Sequence, residues 1–378
     1  MLDWKTLRIS LRGLSAYRGL LQRDVMQCVM ALLDALCAED GEGAAECRSE
    51  LFYRLRLEGH TDLGDWVMEH LRFDEEPYPL LTECGGSDAA LEAAARRDVE
   101  CLAAVVFALS GEPCRVLDFD ALTDFYRRYG AGMFAKYRAF LWEGGELFPI
   151  EKPDAPAKHE LLGYELQREA VIANTRAMME GHTVNNVLLY GDSGTGKSAT
   201  VKSLLTVEGL EDLRIIELQK EGLADMSALI RRLRGRRQKF ILFIDDLAFD
   251  QDDKTYSLLK TILEGGLEPR PANVAIYATS NRRNLVRQTF SDRAGDEVDA
   301  SETVQEKTAL ADRFGLRVAY LPLNKAEFLK LVDGLAELEG IETDPEELHA
   351  QAIRWEARHP GRTPRTAQQF IAGLKTKG

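Results

Sequence analysis

Residues 186–200 read NVLLYGDSGTGKSAT, and this stretch decides the fold. Five residues that can form a strand come first, then eight that neither a strand nor a helix favours, and then the start of a helix. The central eight match the pattern G-x-x-x-x-G-K-[ST], which forms a phosphate-binding loop when it lies between a strand and a helix. We expect its glycines to let backbone N–H groups converge on phosphate oxygens.

The loop residues have distinct expected contributions to holding a nucleoside triphosphate. Lys197 would reach the outer phosphates, and the Ser198 hydroxyl would bind Mg²⁺. The predicted nucleotide-binding residues here are Gly191, Asp192, Ser193, Gly194, Thr195, Gly196, Lys197, Ser198 and Ala199. The alternative is an ordinary glycine-rich turn, but the flanking strand and helix favour the nucleotide site.

A second apolar strand ends in two acids, because residues 240–246 read FILFIDD. The carboxyl ends of parallel strands share one edge of a sheet, where open α/β sheets bind ligands. We therefore predict that Asp245 coordinates Mg²⁺, directly or through water, and that Asp246 orients or polarises the attacking water. For Asp246 a helix N-cap is the alternative.

The surrounding sequence predicts an α/β fold. Five apolar runs (NVLLY, RIIEL, KFILFI, NVAIYAT and RVAYL) alternate with amphipathic helices, which predicts a five-stranded parallel sheet sandwiched by helices. Helical periodicity precedes them, and three prolines fall within residues 149–156. The predicted domains are an N-terminal helical domain for partner binding or regulation (1–150), a linker (151–160), a nucleotide-binding core (161–322) and a helical lid (323–378).

Composition and charge limit the classes of protein. The 378 residues are 45% apolar, and 48 basic against 62 acidic residues give a formal charge of -14. This charge opposes any general attraction to nucleic acid or to an anionic membrane. The N-terminus lacks a signal pattern and no long apolar run occurs, so we predict a cytoplasmic protein without a membrane segment. Six cysteines without CxxC spacing predict reduced thiols rather than zinc or disulfides.

Two further segments resemble AAA+ ATPases. Residues 278–281, ATSN, resemble the end of the core strand that lies between the two motif strands in that superfamily. A polar residue there helps to place the hydrolytic water, and by position it is Asn281. Residues 310–315, LADRFG, resemble the segment that carries the arginine finger, which makes Arg313 the candidate.

The resemblance also extends to both ends of the nucleotide-binding region. Residues 361–365, GRTPR, resemble the lid motif whose arginine contacts the γ-phosphate, and Arg365 matches it. Residues 161–165, LLGYE, resemble the segment that lines the adenine pocket, which implies binding roles for Gly163 and Tyr164.

The resemblance covers about residues 158–378, and its motifs are most similar to a bacterial AAA+ family of unknown function. It implies ATP and Mg²⁺ as ligands. A finger supplied by a neighbouring subunit implies a homo-oligomer, either a ring such as a hexamer or a dimer. For Arg313 the alternative is a surface salt bridge, for example with Asp312. Arg293 is a rival finger.

Several features depart from the superfamily pattern or leave its partners open. Asp246 stands where many AAA+ enzymes have Glu. The prediction of ATP hydrolysis is therefore less secure than the prediction of ATP binding. Residues 219–226 contain no aromatic residue, which disfavours a polypeptide-threading ring, and the acidic residues 291–306 favour a solvated loop. One basic cluster could contact nucleic acid, although cations also stabilise helix C-termini, and nucleic acid is not favoured. It comprises Arg231, Arg232, Arg234, Arg236, Arg237, Lys239, Arg282, Arg283 and Arg287.

Two functions from different classes remain open. The first is an ATPase that couples hydrolysis between subunits to the remodelling or switching of an unknown client protein. The second is a nucleotide-gated binding module or scaffold with little or no hydrolysis. A small-molecule P-loop kinase is disfavoured by Asn281, Arg313 and the three-helix lid.

Overall fold

The structure is a computed structural model that describes residues 3–73, 75–111, 117–157, 160–249, 254–264, 269–281, 310–359 and 361–375. The chain forms two compact units. Unit 1 comprises Met1–Tyr137 together with Arg236–Gln238. Unit 2 comprises Arg138–Gly235 and Lys239–Gly378.

Unit 1 is built from helices. They are α1 (Trp4–Arg12), α2 (Asp24–Cys37), α3 (Gly41–Leu57), α4 (Leu63–Phe73), α5 (Pro77–Glu83), α6 (Ala89–Ser110), α7 (Phe119–Tyr129) and α8 (Met133–Lys136). Their apolar stripes meet in one core, in which Leu11 of α1, Leu33 of α2 and Trp66 of α4 are fully buried. The three- and four-residue spacing of apolar side chains therefore forms helices, as amphipathic periodicity predicts.

Unit 2 is built on a seven-stranded sheet. Its strands are β1 (Ala139–Glu143), β2 (Glu146–Ile150), β3 (Val187–Gly191), β4 (Leu213–Leu218), β5 (Lys239–Ile244), β6 (Val274–Ser280) and β7 (Leu316–Tyr320). Their order in the sheet is β2-β1-β4-β5-β6-β3-β7. Neighbouring strands are parallel except for the antiparallel pair of β1 and β2.

Helices flank this sheet and follow it. They are α9 (Glu165–Met179), α10 (Lys197–Ser203), α11 (Met226–Leu233), α12 (Lys254–Glu264), α13 (Lys325–Leu338), α14 (Pro345–Glu356) and α15 (Pro364–Lys375). Every residue of β6 is buried, as expected for a parallel strand covered on both faces. The predicted α/β fold class is confirmed. In the described ranges, no helix is both long enough and apolar enough to cross a bilayer.

The structure corrects the strand count and the first domain boundary. All five predicted strands form, but the hairpin of β1 and β2 was not predicted. Gly144 and Gly145, at φ 59° and 84°, make the two-residue turn that favours such hairpins. Pro149 lies in the edge strand β2, where a proline is tolerated. The compact units therefore divide between Tyr137 and Arg138, not at residue 150.

The predicted linker lies inside unit 2. Its described residues 151–157 form neither helix nor strand and directly follow β2. Three helices form within residues 323–378, where the lid was predicted. The division of unit 2 into a core (161–322) and a lid (323–378) stays a prediction.

A short segment between α11 and β5 completes unit 1. The Arg236 guanidinium pairs with Glu83, Nε to Oε1, at 2.5 Å and with Glu75, Nη1 to Oε1, at 3.1 Å. It also donates from Nη2 to the Ala131 carbonyl at 2.6 Å and lies over the Phe134 ring. The Arg236 side chain is 10% exposed and that of Glu83 is fully buried, so this is an enclosed ion pair.

Candidate functional site

The carboxyl ends of three neighbouring strands meet at one edge of the sheet. Strand β6 pairs with β3 on one side and with β5 on the other. The phosphate-binding loop follows β3, Asp245 and Asp246 follow β5, and Asn281 follows β6. The Asn281 strand thus lies between the two motif strands, as the resemblance to AAA+ ATPases implies.

Gly191 allows the phosphate-binding loop to leave β3 close to the backbone of β7. Its φ is 141°, and a Cβ atom there would lie 2.0 Å from the Tyr320 carbonyl oxygen. The next residue, Asp192, donates its backbone N–H to the same oxygen at 3.2 Å. A residue with a side chain cannot make this approach, because both the backbone conformation and the space are restricted.

We expect Gly191→Ala to weaken both the fold and nucleotide affinity. The strained backbone alone should cost about 1–3 kcal/mol, and the loop must also move away from Tyr320. Calorimetric unfolding and nucleotide titration measure the two effects. Gly209→Ala is the matched control, since Gly209 has φ 83° but no atom within 4 Å of a built Cβ. Equal behaviour of the two variants would contradict the close-approach explanation.

Lys197 is the first residue of α10 and is only 6% exposed. Its Nζ donates to the carbonyl oxygens of Gly191 at 2.9 Å and Asp192 at 2.7 Å, and to Asn281 Oδ1 at 2.9 Å. Burial lowers the pKa of Lys197, while the negative charges of nearby carboxylates, chiefly Asp246, oppose this change. The ammonium group is therefore held at the loop.

Ser198 and Asp245 form an oxygen-rich pair beside this lysine. Ser198 Oγ donates to Asp245 Oδ1 at 2.6 Å, and Thr279 Oγ1 donates to the same oxygen at 2.5 Å. Hydroxyl and carboxylate oxygens are the donor set that Mg²⁺ prefers. The residues present thus fit the predicted metal, which Ser198 and Asp245 would hold.

Asp246 is held in an unusual backbone conformation. Its φ is 50°, which is uncommon for a residue other than glycine and is often found at functional sites. Its N–H donates to Thr279 Oγ1 at 2.8 Å, and its Oδ1 accepts from Asn281 Nδ2 at 2.7 Å. The residues that follow it, 247–249, are not helical, so Asp246 is not a helix N-cap. The carboxylate instead faces the strand of Asn281.

Arg365 lies against the phosphate-binding loop. Its backbone N–H donates to the Gly194 carbonyl at 3.2 Å, and its Nη1 is 3.5 Å from Ser193 Oγ. Gly194, at φ 78°, leaves room for the arginine, because a Cβ there would lie 3.0 Å from the Arg365 Cβ. Helix α15 therefore carries a guanidinium directly to the loop.

One cleft collects most of the predicted site residues. Its volume is about 440 Å³, within the roughly 300–1,000 Å³ typical of ligand sites. Its lining includes Ser193, Gly194, Gly196, Lys197, Ser198, Ala199, Asp245, Asp246, Asn281 and Arg365. The arrangement can surround a polyanion with an ammonium, a guanidinium and a metal-binding pair.

A second, small cavity of about 30 Å³ adjoins the loop, and its lining is part polar and part apolar. Tyr164 lines it, with its ring 4.9 Å from that of Tyr320, and its hydroxyl donates to the Leu321 carbonyl at 2.5 Å. Gly163, at φ 75°, shapes the turn before α9. Arg168 also lines this cavity and donates to the Gly163 carbonyl.

Two polar residues of this site, Thr279 and Arg168, were not predicted. Thr279 donates to Asp245 and accepts from the Asp246 N–H, and its place two residues before Asn281 could have indicated this role. Arg168 gave no such signal, because an arginine four residues after Tyr164 on a helix is usually solvated.

Arg313 does not line the cleft. Its Nη2 lies 3.0 Å from Glu264 Oε1, at the end of α12. The alternative partner Asp312 pairs instead with Arg317 at 3.0 Å. The salt bridge considered for Arg313 therefore forms with Glu264 and not with Asp312. The rival finger Arg293 and the acidic residues 291–306 lie outside the described residues.

The basic cluster is not one continuous surface. Arg236 is enclosed by Glu75 and Glu83, which removes it from contact with external phosphates. Arg231, Arg232 and Arg234 are exposed near the end of α11. The remaining members Arg282, Arg283 and Arg287 lie outside the described residues.

The fold and the loop together define an α/β protein with a P-loop between β3 and α10. The chain belongs to the family described as "Protein of unknown function (DUF815)", whose model matches residues 135–378. This confirms the narrower resemblance to a family of unknown function.

Solved structures with a similar fold include RuvB of Thermotoga maritima, described as a Holliday junction branch migration motor. It is 18% identical with a TM-score of 0.40, and the match covers 58% of this chain and 64% of that chain. A variant of the same RuvB is 17% identical with a TM-score of 0.41, covering 59% and 66%. This chain thus spans less than two thirds of the motor's length. None of the curated proteins matches this chain.

Proposed function

We propose that this protein is a cytoplasmic ATPase of the AAA+ type. It binds ATP with Mg²⁺ in the cleft of unit 2 and couples hydrolysis between subunits to the remodelling or switching of a client protein. The observation that carries this proposal is the convergence of Lys197, Ser198, Asp245, Asp246 and Arg365 around one phosphate-binding loop.

The cleft suits a nucleoside triphosphate because cationic and metal-binding side chains surround its phosphate-binding loop. The loop amides would bind the phosphates, and Gly163 and Tyr164 are proposed to lie beside the base. Lys197 and Arg365 would contact the outer phosphates. Ser198 and Asp245 would hold Mg²⁺, which neutralises phosphate charge when bound.

Asp246 and Asn281 are proposed to position the attacking water. Their side chains are joined by the 2.7 Å hydrogen bond, and Asn281 also accepts from Lys197. A carboxylate held this way can accept a proton from water, provided that water lies within hydrogen-bond reach. The amide of Asn281 would fix the direction of that carboxylate.

The proposed assembly is a homo-oligomer in which Arg313 of one subunit completes the cleft of the next. Arg313 is half-exposed and lies outside its own cleft, as a residue directed at a neighbour must. An arginine that reaches the transferred phosphoryl group can accelerate hydrolysis by about 10³–10⁵-fold. The helical unit 1 is proposed to select the client.

Lys197→Ala tests the nucleotide site. Removing an ammonium that binds phosphate in a buried site should weaken ATP affinity by at least about 30-fold. Calorimetric titration with a non-cleavable ATP analogue and Mg²⁺ measures this loss. Lys202→Ala removes the same charge from the last turn of α10, outside the cleft, and should bind like the parent. Unchanged affinity in Lys197→Ala would remove the basis of the proposed site.

A further inference from the structure

Arg313 already has an anionic partner in its own chain. Its guanidinium contacts Glu264 at 3.0 Å, and the two side chains are 49% and 36% exposed. Arg313 comes shortly before β7, whereas Glu264 belongs to α12, so the contact joins two separate elements. The arginine proposed to serve a neighbour's nucleotide is thus paired with a carboxylate of its own subunit.

The pair is weak enough to be exchanged. Ion pairs between partly exposed side chains favour contact by no more than about five-fold. A phosphate group offers arginine stronger, bidentate and charge-assisted hydrogen bonds. A triphosphate in a neighbouring subunit can therefore replace Glu264 as the partner of Arg313.

We propose that Glu264 is an internal competitor for Arg313 that sets the protein concentration at which subunits complete each other's sites. This inference rests on the proposed function, in which Arg313 acts in trans. While Glu264 holds Arg313, only a fraction of subunits presents a competent arginine, and the apparent affinity between subunits falls by that fraction. Once a shared site has formed, Arg313 contacts phosphate and Glu264 no longer affects the rate.

The experiment measures ATP turnover of the full-length chain against protein concentration, at saturating ATP and Mg²⁺. Glu264→Gln should reach half-maximal specific activity at about two- to five-fold lower protein concentration, with an unchanged plateau. A lower midpoint with an unchanged plateau distinguishes competition from a structural role of Glu264, which would lower the plateau. An unchanged midpoint, a higher midpoint or a lower plateau would overturn the proposal.

Asp312→Asn is the matched control. It removes the same charge from a neighbouring ion pair of the same length, between Asp312 and Arg317, but leaves Arg313 with its partner. Its midpoint should equal that of the parent, and an equal shift in both variants would show a general charge effect and overturn the proposal.

Arg313→Ala separates this inference from the function on which it rests. Parental activity in Arg313→Ala would overturn the shared site, and with it the competition. If Arg313→Ala loses activity but the midpoint of Glu264→Gln equals that of the parent, only the role of Glu264 is overturned.

Discussion

Asp246→Asn should lower ATP turnover by about 10²–10⁴-fold while ATP remains bound, the range that general-base catalysis commonly contributes. The amide has the shape of the carboxylate, and its oxygen can still accept the 2.7 Å hydrogen bond from Asn281. The geometry of the cleft should therefore persist. An amide cannot take a proton from water, so the chemical step alone should be lost.

Phosphate release and nucleotide titration, measured on the same preparation, separate turnover from binding. Asp154→Asn makes the same chemical change at a residue that does not line the cleft, and should match the parent. Parental turnover in Asp246→Asn would assign the water-positioning role to another residue. Tight binding with negligible turnover in the parent itself would favour the nucleotide-gated binding module.

Arg236→Met should destabilise unit 1 by about 3–5 kcal/mol, the usual cost of removing one partner from a buried ion pair. Glu83 is fully buried. It would keep the hydrogen bond from the Ala131 N–H at 2.6 Å but lose the Arg236 guanidinium, which lies 2.5 Å away. Methionine preserves most of the volume, so the loss should come from charge. Hydrogen exchange in α5 and α7 of the full-length chain measures it.

The destabilisation should depend on pH. Burial raises the pKa of Glu83, and Arg236 acts in the opposite direction, so removing the arginine should raise this pKa further. A carboxyl whose pKa is raised in the folded state stabilises below its unfolded pKa of about 4.3 and loses that contribution as pH rises. The loss in Arg236→Met should therefore be smaller at pH 5 than at pH 8.

Adding Glu83→Gln to Arg236→Met tests the cause directly. The amide removes the uncompensated charge and can still accept from Ala131, so most of the lost stability should return. A loss that is equal at both pH values, and that Glu83→Gln does not reduce, would indicate packing rather than an isolated charge.

The parts of the fold that sequence predicts well have local causes. The strands β3 to β7 are apolar runs, and the loop at residues 191–198 has a pattern that few other structures require. Asp245 and Asn281 could be placed at the same edge because parallel strands end there. The hairpin at Gly144 and Gly145 also had a local signal, which the nearby prolines obscured.

The remaining features depend on residues far apart in sequence. Nothing around Arg236 indicates that Glu83 lies beside it, and a run of arginines resembles a nucleic-acid surface whether or not one member is enclosed. Arg313 likewise has an acid next to it in sequence, yet its partner is Glu264. Which charged side chains pair is determined by the packed structure and not by their spacing along the sequence.

The segment Arg236–Gln238 has a consequence for dividing the chain experimentally. A fragment that ends at Tyr137 would retain Glu83 and Tyr129 but not Arg236, nor the Gln238 amide that donates to the Tyr129 carbonyl at 2.9 Å. In such a fragment, the groups that contact residues 236–238 would lose these partners. Supplying those three residues, by fusion or as a separate peptide, is the logical route to an autonomous N-terminal piece.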